Sequence, residues 1–261
     1  MRPVIAFLTD FGTQDHYAGT MKGVVLGICP DATLVDITHD IPAHDIMGGA
    51  LELAASYKYF PPGTIFVVVV DPGVGSARRG LAADTGDYRF VAPDNGVLTA
   101  VLRETPAKKI VELTERRYAR PTVSRTFEGR DRFAPAAAWL AKGIQLTALG
   151  RPVADIQRLE MPAPESSADV IRGLVVRVDR FGNLVTNIDR KLVERLGGDV
   201  AIDAGGKTIS RLVATYADLP GDGVGALFGS TDHLELAAPA ASAADRLALT
   251  RGTVVTVTRR S

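Results

Sequence analysis

A single cysteine, Cys29, occurs among the 261 residues. No intramolecular disulfide can form and no zinc–thiolate cluster can be built, so the chain reads as a protein of a reducing compartment and a cytoplasmic location is expected. Net charge is also missing, because 30 basic side chains cancel 30 acidic ones. That removes the bulk attraction behind non-specific binding to nucleic acid or to an anionic membrane, and neither partner is expected. No apolar run approaches the ~18 residues of a membrane span. The apolar stretch within the first ten residues is too short for a secretory signal. Several signatures of chemistry are lacking as well. There is no Gly-Lys-Ser/Thr phosphate loop, no Gly-x-Gly-x-x-Gly after the first apolar run and no Gly-x-Ser-x-Gly elbow. His16, His39, His44 and His233 show no ligand spacing, so no metal site is expected; His39 and His44, on either side of a proline, read as structural.

What is present is an ordinary globular composition, 46% hydrophobic and 23% charged, with 26 glycines that predict many tight turns. Short apolar runs alternate with helical stretches through the first part. Residues 4–9, 34–37 and the β-branched run Ile65-Phe66-Val67-Val68-Val69-Val70 read as strands; 21–29, 46–59, 97–103 and 134–142 read as helices. This alternation predicts an α/β fold with a mainly parallel α/β sandwich at the N-terminus, assigned to residues 1–160. The stretch Met161-Pro162-Ala163-Pro164-Glu165-Ser166-Ser167 opens a linker, 161–169. Beyond it, strands separated by Gly-Gly and Gly-Asp-Gly turns predict a smaller antiparallel β-barrel-like domain over 170–261.

Ligands of a parallel sheet bind beyond the carboxyl ends of its strands, where Asp10 and Asp71 fall. A lone aspartate there reads as a helix or turn cap; two, each followed by glycine, read as a site. In Asp71-Pro72-Gly73-Val74-Gly75-Ser76-Ala77-Arg78-Arg79 a carboxylate and guanidinium groups share a glycine-rich loop. Thr126-Phe127-Glu128-Gly129-Arg130-Asp131-Arg132-Phe133 precedes an alanine-rich helix and reads either as a solvated helix start or as a carboxylate on open backbone. Asp179-Arg180-Phe181-Gly182-Asn183 joins an acid, an aromatic ring and an amide, the groups that stack on a purine and read its edge, though a β-turn with a core phenylalanine has the same letters.

These motifs occur in one order with Thr9-Asp10-Phe11-Gly12, Ala92-Pro93-Asp94-Asn95-Gly96, Thr186-Asn187-Ile188 and Gly229-Ser230. In that order they resemble the S-adenosylmethionine hydroxide adenosyltransferases, hydrolase relatives of the bacterial fluorinase and chlorinase, over nearly the whole chain. The resemblance implies a homotrimer that binds S-adenosylmethionine between subunits, with no cofactor beyond that substrate. Carried over by position, Asp10 holds the ribose hydroxyls and Asp15 the methionine ammonium. Phe127 and Gly129 line the ribose and reacting carbon, Asp179 and Ser230 contact the amino-acid end, and Phe181 and Asn183 face the adenine. The family's hydrolases activate water near an Asp, an Arg and a His; Asp71 and Arg78 match, while Glu128 stands at the histidine position. Pro239 stands where relatives commonly have Asn. The implied reaction is attack of water on the ribose C5′, giving adenosine and methionine. A halogenase, which has an uncharged tyrosine at the position of Asp71, and a non-catalytic sensor of the same ligand are the alternatives.

Overall fold

The computed structural model describes residues 2–209 and 211–260, and the chain divides into two compact units, Met1–Glu160 and Met161–Ser261. In the first, β1 (Val4–Thr9), α1 (Tyr17–Ile28), β2 (Thr33–Thr38), α2 (Ile46–Ser56), β3 (Ile65–Val69), β4 (Gly80–Asp84), β5 (Arg89–Pro93), α3 (Thr99–Glu104), β6 (Lys109–Leu113), α4 (Ala134–Ala141) and β7 (Gly150–Pro152) follow in order. They build a seven-stranded sheet in the order β2-β1-β3-β5-β4-β6-β7. The β2-β1-β3-β5 half is parallel, as strand–helix alternation requires. The β5-β4-β6-β7 half is antiparallel, so the sheet is mixed.

All five residues of β3 are buried, which explains why this strand reads as an unbroken β-branched run. Alternate side chains go to opposite layers. Ile5, Phe7, Val67 and Val69 pack with Met21 and Val25 of α1 and with the alanines of α4. Ala6, Leu8, Phe66 and Val68 pack with Leu53 of α2 and Val101 of α3. The small residues Ala134, Ala136, Ala137 and Ala138 let α4 lie close to its neighbours, and Trp139 on the same helix meets Tyr118 with ring centroids 5.8 Å apart. Cys29, just after α1, is buried in this layer.

The Asp94-Asn95 motif fastens chain segments together. Buried Asp94 accepts from Arg79 Nε at 2.8 Å and from the Gln157 backbone N–H at 2.8 Å. Asn95 Nδ2 donates to the Val70 carbonyl at 2.8 Å, fixing the end of β3 just before Asp71.

The second unit holds β8 (Glu165–Ser166), β9 (Val170–Val178), β10 (Leu184–Asp189), α5 (Arg190–Leu196), β11 (Val200–Ala204), β12 (Lys207–Ile209), β13 (Gly225–Phe228), β14 (His233–Ala237), α6 (Ala243–Leu247) and β15 (Val254–Arg259). Its strands run β12-β11-β15-β9-β10-β14-β13, with β8 added on β9. Every pairing of these strands is antiparallel. Residues 170–174 of β9 pair with β15 and 175–178 with β10, so this long strand carries the sheet round into its barrel-like form. Ile171, Val175, Leu184, Ile202, Leu236 and Val257 fill the interior.

Candidate active site

Parallel neighbours β1 and β3 deliver Asp10 and Asp71 to the same edge of the sheet. There a cavity of about 290 Å³ is bounded by Asp10, Tyr17, His44, Asp71, Phe127 and Glu128, with Gly129 also in its wall. Asp71 and Glu128, two of the residues expected to carry chemistry, line it, and the third, Arg78, bridges them from behind. Arg78 donates from Nε to Asp71 Oδ1 at 2.9 Å and from Nη2 to Asp71 Oδ2. Its third arm, Nη1, donates to Glu128 Oε2 at 2.7 Å. The guanidinium also lies over the Phe133 ring, 5.3 Å from the centroid. All three side chains are close to nine-tenths buried or more, with 5% of Asp71, 9% of Arg78 and 11% of Glu128 exposed. With both carboxylates ionised the trio carries one net negative charge.

Burial pushes the Asp71 carboxyl above the ordinary carboxylate range; Arg78 opposes that shift and the charge of Glu128 adds to it. Burial works against the Arg78 charge, but bonding to Asp71 and Glu128 outweighs it and raises the guanidinium pKa. Arg78 is thus a fixed cation, and Asp71 a carboxylate more basic than one in water.

The loops that supply these groups are held by close backbone contact. Gly75 has φ +79°, and a Cβ built there would lie 2.4 Å from the Arg125 carbonyl oxygen, so only glycine lets the 71–78 loop approach the 124–128 segment. The charged cluster before α4 is not a solvated helix start. Gly129–Phe133 is a π-helical turn and Asp131 is fully buried. Asp131 accepts from Arg130 Nε at 2.7 Å, Arg130 Nη2 at 2.8 Å and the Ser124 backbone N–H at 2.8 Å. Burial opposes its charge, yet the Arg130 and Ser124 bonds win and hold its pKa below the usual value. The Arg120 backbone N–H donates to the Asp131 carbonyl at 2.9 Å, closing the loop that presents Phe127 and Glu128.

Phe127 packs edge-on against Phe11 at 5.9 Å and Tyr17 at 5.1 Å, forming an aromatic wall. A Cβ at Gly129 would lie 3.1 Å from the Met21 Sδ, so a side chain there would press on Met21. Asp10 Oδ2 accepts the His44 backbone N–H at 2.8 Å, and His44 has φ +67°. Sequence reading missed His44, Tyr17 and Phe11 as parts of this site. Phe11 stood within the Thr9-Asp10-Phe11-Gly12 motif without a role assigned to it, whereas no local pattern marks His44 or Tyr17, which a left-handed backbone and an aromatic cluster bring in. His39 is structural, buried with Nδ1 2.8 Å from Thr9 Oγ1. Asp15 is exposed in the turn before α1 and does not line the cavity.

The remaining site residues expected from sequence belong to the second unit. Asp179 Oδ1 accepts from the Phe181 and Asn183 backbone N–H groups at 2.8 and 2.9 Å, and Oδ2 accepts from Asn183 Nδ2 at 2.9 Å. The turn they shape leaves the Phe181 ring 76% exposed, rather than in the core that a simple β-turn reading implies. Ser230 is exposed beside Gly229, where any Cβ would strike the Glu235 carboxylate. Tyr216 donates to Glu235 Oε2 at 2.8 Å; burial, then Glu235 and Asp179, push its hydroxyl pKa up to about 12. Among the described residues no group of three or more His, Cys, Asp or Glu side chains is placed to hold a metal ion.

Comparison with known proteins covers both units. A family model for the SAM hydroxide adenosyltransferase N-terminal domain matches residues 5–150, and one for the C-terminal domain matches 173–256. An (R)-S-adenosyl-L-methionine hydrolase of Salinispora tropica is 36% identical over 98% of both chains. One from Thermus thermophilus is 37% identical over 97% of this chain and 98% of its own. A fluorinase of an Actinoplanes species is 32% identical over 98% of each. The crystal structure of an uncharacterized conserved protein from Thermotoga maritima superposes with a TM-score of 0.93 at 34% identity, covering 98% of this chain and all of that one.

Proposed function

The chain belongs to the SAM hydroxide adenosyltransferase family, and from that premise we propose that it hydrolyses S-adenosyl-L-methionine to adenosine and L-methionine. The observation that carries this reading is the buried Asp71–Arg78–Glu128 trio, whose two carboxylates line the cavity. Attack of water on the ribose C5′ expels a sulfonium as a neutral thioether, so the leaving group needs no proton. What the reaction lacks is a strong nucleophile, and a positioned carboxylate of raised basicity supplies one by taking a proton from water. Asp71 takes that role. Arg78 grips both oxygens of Asp71 and fixes its direction, and Glu128 anchors the third arm of Arg78 while offering water a second polar contact.

The acidic groups around the cavity suit a cationic substrate. Asp10 holds the ribose hydroxyls, and Phe127 and Gly129 border the ribose. Phe181, Asn183, Asp179 and Ser230 supply the adenine and amino-acid contacts, and Asp15 the ammonium contact. In this reading a homotrimer completes each site with residues of a neighbouring copy. Phe181, 76% exposed, is free to be covered by a stacked base in such an assembly.

Relatives named fluorinase raise halide as an alternative nucleophile. Two carboxylates beside the point of attack repel an incoming anion and leave neutral water favoured. Incubation with S-adenosylmethionine in ¹⁸O-water, with chloride and fluoride present, tests the proposal. Adenosine labelled in its 5′-hydroxyl is expected. A 5′-halonucleoside, or ligand bound and released unchanged, overturns it.

A further inference from the structure

We propose that Glu128 is the exit for the proton released in each turnover, passing it from the substrate cavity into a second, arginine-lined groove. The inference rests on the hydrolytic reading above. The groove, about 620 Å³, is bounded by four arginines, Arg116, Arg120, Arg125 and Arg132, and by three carboxylates, Glu112, Glu115 and Glu128, a small basic excess. Among the described residues, Glu128 alone lines both this groove and the substrate cavity. Its two oxygens have different neighbours to match. Oε2 accepts from Arg78 Nη1 at 2.7 Å, beside Asp71, whereas Oε1 lies 4.0 Å from Nε of Arg132, a groove residue.

The chemistry supplies the need. The water oxygen bonds to C5′ as the C5′–S bond breaks, the bonding pair going to sulfur and the water's proton to Asp71. Adenosine and methionine leave as neutral products, and one proton stays behind. Asp71 cannot serve again until that proton goes, and a route past a bound sulfonium brings two positive charges together. Glu128 takes the proton through water and gives it up on its other side to solvent or to a buffer base. Arg116 and Arg125 have no ion-pair partner among the described residues. Arg120 and Arg132 stand 3.8 and 4.0 Å from carboxylates that Arg130 and Arg78 already hold. These guanidinium groups draw anionic bases such as hydrogen phosphate, which receives the proton as dihydrogen phosphate.

A relay acts after the irreversible C–S cleavage, so its loss lowers kcat and spares kcat/KM. Glu128→Gln keeps an acceptor for Arg78 and a polar contact for water but cannot titrate. In Glu128→Gln, kcat is expected to fall by about tenfold or more while kcat/KM stays within about threefold. Its solvent-deuterium effect is expected to grow on kcat alone. Glu128→His, which titrates, retains more of kcat than the Gln variant. An equal fall in kcat and kcat/KM places Glu128 in bond cleavage and overturns the relay, as does an unchanged kcat in Glu128→Gln or a His variant no better than Gln. The unsubstituted protein, assayed alongside, keeps the two claims apart. Adenosine formation there sustains the hydrolytic reading whatever the variants do, and its absence overturns both.

Discussion

Asp71 and Arg78 show how much one residue's setting decides. An aspartate in water titrates near 3.9 and is a poor base at neutral pH. Burial raises Asp71, and Arg78 limits the rise while locking the carboxylate in place. If Asp71 is the base proposed above, the reactive form is its carboxylate, and activity is lost as pH falls through this raised value. The acid limb of kcat/KM is therefore expected above the ordinary aspartate range. Asp71→Asn should lower kcat by about 10²–10⁴-fold and abolish that limb, measured as adenosine release across pH. A full-rate Asn variant would remove Asp71 from the chemistry. At this scale the sequence was informative, since Asp71, Arg78 and Glu128 each sit in a distinctive motif and the structure brings all three together. His44 and Tyr17 carry no such mark. His44 in particular reaches the cavity through a positive φ that nothing in Pro42-Ala43-His44 announces.

Two short loops give the site its shape, and each rests on one replaceable feature. At Gly75 both the φ of +79° and the nearby Arg125 carbonyl exclude a side chain. Gly75→Ala should push the 71–78 loop from the 124–128 segment and separate Arg78 from Glu128. A fall of about tenfold or more in kcat is expected, with stability reduced by about 1–2 kcal/mol in denaturant titration. Asp131 closes the second loop. Its folded pKa is depressed, so the stability it contributes is present above the ordinary aspartate value and is lost as pH falls through the folded one. Asp131→Asn is expected to destabilise by about 1–3 kcal/mol at pH 7, and the gap between the two melting curves should narrow below about pH 4. A gap that persists in acid would mean that packing rather than charge holds the loop. Legibility at the level of elements divides along the first sheet. The β-branched β3 stands out in the sequence, whereas β4, Gly80-Leu81-Ala82-Ala83-Asp84, is built from residues of weak strand preference and takes its place only through pairing with β5 and β6.

For the whole molecule, absent net charge and disulfides narrowed the possibilities, while the order of motifs along the chain pointed to the family. The mixed character of the first sheet stayed hidden because α3 and α4 still alternate with β5, β6 and β7, a pattern that reads as parallel although β4, β6 and β7 pair antiparallel. A homotrimer makes a measurable claim: light scattering should report about three times the 27.7 kDa chain mass, and specific activity should fall on dilution as that assembly dissociates. A concentration-independent monomer with full activity would refute intersubunit sites. The lone cysteine has a use unrelated to redox chemistry. Cys29 is buried in the first unit, and the only tryptophan, Trp139, lies on α4 of that same unit. Thiol labelling and indole fluorescence therefore both watch the α/β unit alone, leaving the barrel-like unit silent to either signal. Set against calorimetry, which registers the melting of both, these native reporters separate two unfolding events without a single introduced label.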